Sequence, residues 1–106
     1  MNSKNLVLNF IDEFTCQGTW PQVIDSFTRG NCYWFAYILQ GRFPEGTIVY
    51  DEIMNHFGFL LDNNIYDITG IVTNKYDWDT WENAYNRDEL RGKRIIRDCI
   101  LKEKIE

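Results

Sequence analysis

The stretch "CYWFAYILQG", Cys32 to Gly41, constrains the fold more than any other. Read as a helix, Tyr33, Trp34, Phe35, Ala36, Ile38 and Leu39 leave almost no polar face. A helix that is apolar nearly all round must be covered on most sides. A chain of 106 residues has room for one core. This segment therefore predicts a central helix with the rest of the chain wrapped around it. Apolar residues make up 44% of the chain and aromatics 16%, which is enough to supply that cover and excludes a disordered chain.

The flanking segments follow from their periodicity. Ser3 can cap a helix over residues 4–15, where Leu6, Val7, Phe10, Ile11 and Phe14 recur at helical spacing, with Gly18 ending it. Pro21 suits the first position of a helical turn in the connector. Asn31 can cap the helix from Cys32 to about Gln40, with Gly41 just past its end. After the turn "PEG" the period changes. Residues 47–53, 56–61 and 65–72 read as strands, and "DNN" (Asp62 to Asn64) reads as a hairpin turn. A short helix is expected from Thr80. Asp88 can cap a last helix with a stripe of Ile95, Ile96, Cys99 and Ile100, whose first turns Gly92 weakens. The expected fold class is α+β: one domain, residues 1–106, with N-terminal helices on a small antiparallel sheet of three or more strands and a C-terminal helix.

Charge narrows the partners. The net charge is -5 and the pI about 4.8. Phosphate backbones are bound by clustered Lys and Arg, so no nucleic acid is expected. No stretch is long and apolar enough to suggest a membrane span, and the N-terminus lacks a signal-peptide pattern. Cysteines number three, Cys16, Cys32 and Cys99, with no CxxC pair. Reduced thiols in the cytoplasm are the expectation. Cys16 and Cys99 are assigned to apolar helix faces in the core. One histidine and three dispersed cysteines do not make a zinc site, and no cofactor is expected. The positive charge from Arg87 to Lys104 reads as a solvated helix face.

One constellation carries chemistry. Cys32 lies at a helix start, His56 at a strand start, and Asp67 in the next strand. Thiolate is the reactive form of cysteine, and a helix N-terminus favours it. An imidazole can take the thiol proton and return it to a leaving group. A carboxylate on the far ring nitrogen fixes the ring's orientation and tautomer. The hairpin register decides whether His56 and Asp67 can meet. A turn at Asp62-Asn63 pairs 61 with 64 and places the two on one face as diagonal neighbours, Cβ atoms about 7–8 Å apart or slightly less. A turn at Asn63-Asn64 separates them by two more residues, roughly 7 Å.

These segments carry a resemblance. "GNCYWFA" (Gly30 to Ala36) resembles the papain-type nucleophile motif, with Tyr33 as the aromatic after the cysteine. "HFGFLLDNNIYD" (His56 to Asp67) resembles the histidine hairpin of NlpC-type amidopeptidases. "YDITG" (Tyr66 to Gly70) resembles the Asp-x-Thr end of the transglutaminase-like core. All belong to the papain-like cysteine peptidase superfamily, and the likeness spans residues 29–72. It implies a minimal papain-like core with Cys32 as nucleophile, His56 as base and Asp67 as orienting residue, acting on amide or peptide bonds. The usual oxyanion-hole glutamine is unassigned: Gln22 and Gln17 stand ten and fifteen residues upstream of Cys32.

Two classes of function follow. One is a small cysteine hydrolase or acyltransferase with a peptide or protein amide substrate. The other is an inactive member of the same fold serving as a protein-binding or inhibitor module, a role suited to an accessory protein of a phage or mobile element.

Overall fold

The computed structural model describes residues 3–16, 18–28 and 32–105, and side chains within them except 26–28 and 98–105. Among the described residues, five helices and five strands follow in blocks. Helices α1 (Ser3–Phe14), α2 (Pro21–Thr28) and α3 (Cys32–Arg42) come first. Strands β1 (Thr47–Asp51), β2 (His56–Leu61), β3 (Asn64–Asp67), β4 (Gly70–Ile71) and β5 (Asp79–Thr80) follow. Helices α4 (Trp81–Arg87) and α5 (Glu89–Ile105) close the chain. The sheet is antiparallel throughout, in the order β4-β3-β2-β1-β5. The α+β class expected from the sequence is the observed one.

α3 is the helix around which the rest is built. Phe35 and Leu39 are fully buried, packed with Val7 and Ile11 of α1 and with Phe59, Leu61 and Tyr66 of the sheet. Nearer its start, Cys32 and Ala36 pack with Ile48, Tyr50 and Phe57, and Trp81 and Ile95 extend that cluster from α4 and α5. The cover is not complete: Tyr37 points outward and is 55% exposed. The other face of the sheet carries Val49 and Ile65. It is covered by Val72, Tyr76 and Trp78 from the segment after β4 rather than by a helix.

Several local expectations change. The Pro21 segment makes a full eight-residue helix, not one turn. Gly41 lies inside α3, which runs on to Arg42, so it is not the residue past the helix end. Residues 65–72 are not one strand. The chain turns at Ile68-Thr69 and folds back, pairing Asp67 with Gly70, whose φ of 116° only glycine adopts freely. The two-residue strand β5 is too short to leave a periodic signal. Cys16 is not on a helix face. It sits in the turn after α1 at φ 51°, half-buried. Asn31, Gly30 and Gln17 lie outside the described residues, as does the Cys99 side chain. Other local signals hold. Thr80 caps α4, its hydroxyl accepting from Asn83 N at 3.1 Å. Asp88 accepts from Arg91 N at 3.1 Å at the start of α5.

Candidate active site

The hairpin between β2 and β3 builds half of the site. Asp62 and Asn63 both have positive φ, 49° and 70°, the conformation of a two-residue type I′ turn. Leu61 pairs with Asn64, Leu60 with Ile65 and Phe59 with Tyr66. This is the first of the two registers open to the sequence. It sets His56 and Asp67 on one face, diagonal to each other, and their side chains close the gap: His56 Nε2 and Asp67 Oδ2 lie 2.9 Å apart. Both residues are buried, at 7% and 6% exposure.

The N-terminus of α3 builds the other half. Cys32 is a free thiol at the first helical position, 8% exposed. α3 packs on the Phe57 face of the sheet, whereas ladder alternation assigns His56 to the opposite face. His56 is the first residue of β2, at the end of the sheet. From there the imidazole feels both the Cys32 thiol and the Asp67 carboxylate. Asp67 occupies Nε2, so Nδ1 is the ring nitrogen left for sulfur.

Electrostatics tie the three together. Burial alone would push the His56 pKa down. Hydrogen bonds to Asp67 and Cys32, with the charges of both, reverse this and hold it up at about 9. The ring is therefore an imidazolium at neutral pH, donating from Nε2 to Asp67. Burial likewise opposes ionisation of Asp67, but hydrogen bonds from His56 and Thr69 hold its carboxyl below the ordinary carboxylate value. Thr69 N donates to Asp67 Oδ1 at 2.8 Å, and the Thr69 hydroxyl donates to the same oxygen.

An aromatic wall encloses the pair. The Tyr76 ring lies 4.7 Å from the imidazole, inclined by 30°, and Trp78 lies 6.0 Å away. Trp78 donates from Nε1 to Val72 O at 3.3 Å. It rests on Gly58, where a Cβ would come within 3.0 Å of its ring. Trp78 is thus a packing residue on this face of the sheet. Burial, with the charges of Asp67, Asp51 and Cys32, pushes the Tyr76 hydroxyl up. The sequence does not place Tyr76, Trp78 and Thr69 beside the imidazole. Their signals are faint: aromatics two apart around Asp77, and an Asp-x-Thr spacing at a turn.

The arrangement supplies a thiol, a proton carrier beside it and a carboxylate that orients the carrier. Gln22 is exposed on α2. Among the described residues no group of three or more His, Cys, Asp or Glu side chains is placed to hold a metal ion. No helix among them is long and apolar enough to cross a membrane. The positive charge at Arg87 and Arg91 is not simply solvated. Arg91 pairs with Glu52 at 2.6 Å, and Arg87 reaches Asp79 and Glu52.

No curated protein and no solved structure matches the chain. The model of one family, described as Phage YunG-like protein, matches residues 8–97. That span holds Cys32, His56, Asp67, Thr69 and both rings of the aromatic wall. Matching most of its length, the chain belongs to the phage YunG-like protein family.

Proposed function

We propose that this protein is a small cysteine hydrolase or acyltransferase that acts on an amide or peptide bond in the reducing cytoplasm. Cys32 is the nucleophile, His56 the acid-base group and Asp67 the orienting residue. One observation carries the reading: a buried His56–Asp67 pair 2.9 Å apart whose imidazole is also influenced by a buried thiol at a helix start.

The chemistry follows from those positions. The reaction starts from the thiolate, the nucleophilic form of cysteine. Sulfur attacks the amide carbonyl, and the imidazolium protonates the departing nitrogen from Nδ1, leaving a thioester on Cys32. The neutral ring then takes a proton from water or from an acceptor amine as it attacks the thioester. Hydrolysis or acyl transfer results, sulfur leaves as thiolate, and the thiolate–imidazolium pair is restored. Throughout, Asp67 holds Nε2 and keeps Nδ1 directed at the reacting atoms.

A second reading, an inactive relative serving as a binding or inhibitor module, is favoured by burial. Cys32 at 8% and His56 at 7% exposure leave little of the site open to a substrate. Thiol chemistry separates the two. Iodoacetamide at pH 6–7, followed by peptide mapping, is expected to modify Cys32 before Cys16 and Cys99. His56→Ala is expected to slow that modification at least about tenfold without unfolding the domain. Equal rates in the wild type and His56→Ala would abandon the enzyme for the module.

A further inference from the structure

We propose that Thr69 is a positioning residue for the imidazole. It acts through Asp67, clamping one carboxylate oxygen so that the other is presented to His56 Nε2. The proposal rests on the reading of Cys32, His56 and Asp67 as one site, but it concerns a residue outside that triad.

The geometry divides the carboxylate in two. Oδ1 receives both donors of Thr69, the backbone N at 2.8 Å and the hydroxyl. Oδ2 receives His56 Nε2 at 2.9 Å. The last torsion of an aspartate is broad and roughly two-fold, so packing alone holds the plane of the group loosely. Two donors on one oxygen fix that plane. The backbone donor is part of the tight β3–β4 turn in which Asp67 pairs with Gly70. The hydroxyl is additional to the turn and depends on the side chain. Thr69 itself is exposed, so it is not held there by core packing.

Other groups face the ring from each element packed on it. They are Cys32 from α3, Asp67 from β3, Asp51 across the ladder in β1, and the Tyr76 hydroxyl from the segment after β4. Of these, Asp67 is the one that accepts hydrogen bonds from Thr69. A change at Thr69 therefore reaches the imidazole through the carboxylate. Two effects compete when the hydroxyl is removed. Losing a donor concentrates charge on the carboxylate, which would raise the histidine's proton affinity slightly. Losing the clamp lets the carboxylate turn from Nε2, which lowers it. A buried hydrogen bond depends steeply on geometry, so the second effect should dominate.

The chain contains a single histidine, so its imidazole resonances report one titration. NMR titration of the full chain is compared for the wild type, Thr69→Val, Thr69→Ala and Thr69→Ser. Valine and alanine keep the backbone donor and lose the hydroxyl; serine keeps both. The wild-type midpoint is expected near 9. Thr69→Val and Thr69→Ala are expected to lower it by about half a unit or more, and Thr69→Ser to restore it. Either hydroxyl-free variant decides the matter if the other does not fold. A midpoint unchanged or raised in the folded variant overturns the proposal. So does a serine variant that behaves like alanine, since a merely structural turn residue would move stability and not the titration. This readout needs no turnover, so failure of the amide-cleaving reading, seen in Cys32 alkylation, is scored separately.

Discussion

His56 and Asp67 stand eleven residues apart in the chain, yet their Nε2 and Oδ2 atoms are 2.9 Å apart in a buried contact. A tight turn at Asp62-Asn63 and a diagonal across two strands produce that contact. The β3–β4 turn then holds the carboxylate from behind. The site depends on two turns as much as on its own residues.

Removing the carboxylate exposes how much the pair depends on it. Asp67→Ala leaves the imidazole buried without the carboxylate that does most to favour its charge. Burial lowers the proton affinity of a histidine. The His56 midpoint should fall from about 9 toward 6.5 or below, measured by NMR. The lost buried hydrogen bond should cost about 1–3 kcal/mol near pH 6, measured by urea unfolding. A midpoint still near 9 would mean that Asp67 does not set it.

Stability should depend on pH in a defined window. The folded pKa of His56 is raised, so its contribution is complete below 6.5 and is lost as pH rises through about 9. The folded pKa of Asp67 is lowered, so its contribution is complete above 3.8 and is lost as pH falls through the lower folded value. The pair therefore stabilises the fold most fully between these ordinary values. Urea midpoints of the wild type should decline from pH 6.5 to 9 relative to those of His56→Gln. Parallel curves would remove the imidazole as the cause.

Gly92 tests a point where packing overrides propensity. An alanine inside a helix normally gains up to about 1 kcal/mol over glycine. Here a Cβ would lie 2.4 Å from Tyr85 Cδ2 and 2.9 Å from Cε2, because the rings of α4 press on the start of α5. Gly92→Ala should destabilise by about 1–3 kcal/mol, and Tyr85→Ala in the same chain should recover the helix gain. A stabilised single variant, measured in urea, would mean that Tyr85 moves aside freely.

The β2–β3 turn should tolerate glycine and reject a β-branched residue. Asn63 holds φ at 70°. Asn63→Gly is expected to be neutral or stabilising by a few tenths of a kcal/mol, and Asn63→Val to cost about 1–2 kcal/mol. Because the turn sets the register of Asp67, the valine variant should also lower the His56 midpoint. Equal stability of the two variants would argue against the type I′ turn.

Much of this was readable before any coordinates. The apolar circumference of the Cys32 helix required a central position, and Phe35 and Leu39 occupy one. The change of period after Phe43 marked the strands, and the β2 bounds match residue for residue. Cys32, His56 and Asp67 stood out because thiol, imidazole and carboxylate are the groups that acyl-transfer chemistry needs.

Tertiary structure decided the rest. Side-chain alternation has a period of two, so both hairpin turns preserved the face of Asp67, and only the observed pairing of Leu61 with Asn64 fixed its distance from His56. The run 65–72 reads as one strand because its apolar residues continue through the bend at Ile68-Thr69. Gly70, with its positive φ, lets the chain fold back there. Gly92 reads as a weak helix residue and proves to be the space that admits Tyr85. Tyr76 and Trp78 gained their place against the imidazole only when the chain returned across the open face of the sheet. Periodicity is local and records which residues seek burial. Which buried groups touch is settled by the register and path of the whole chain, and those are set by contacts far apart in sequence.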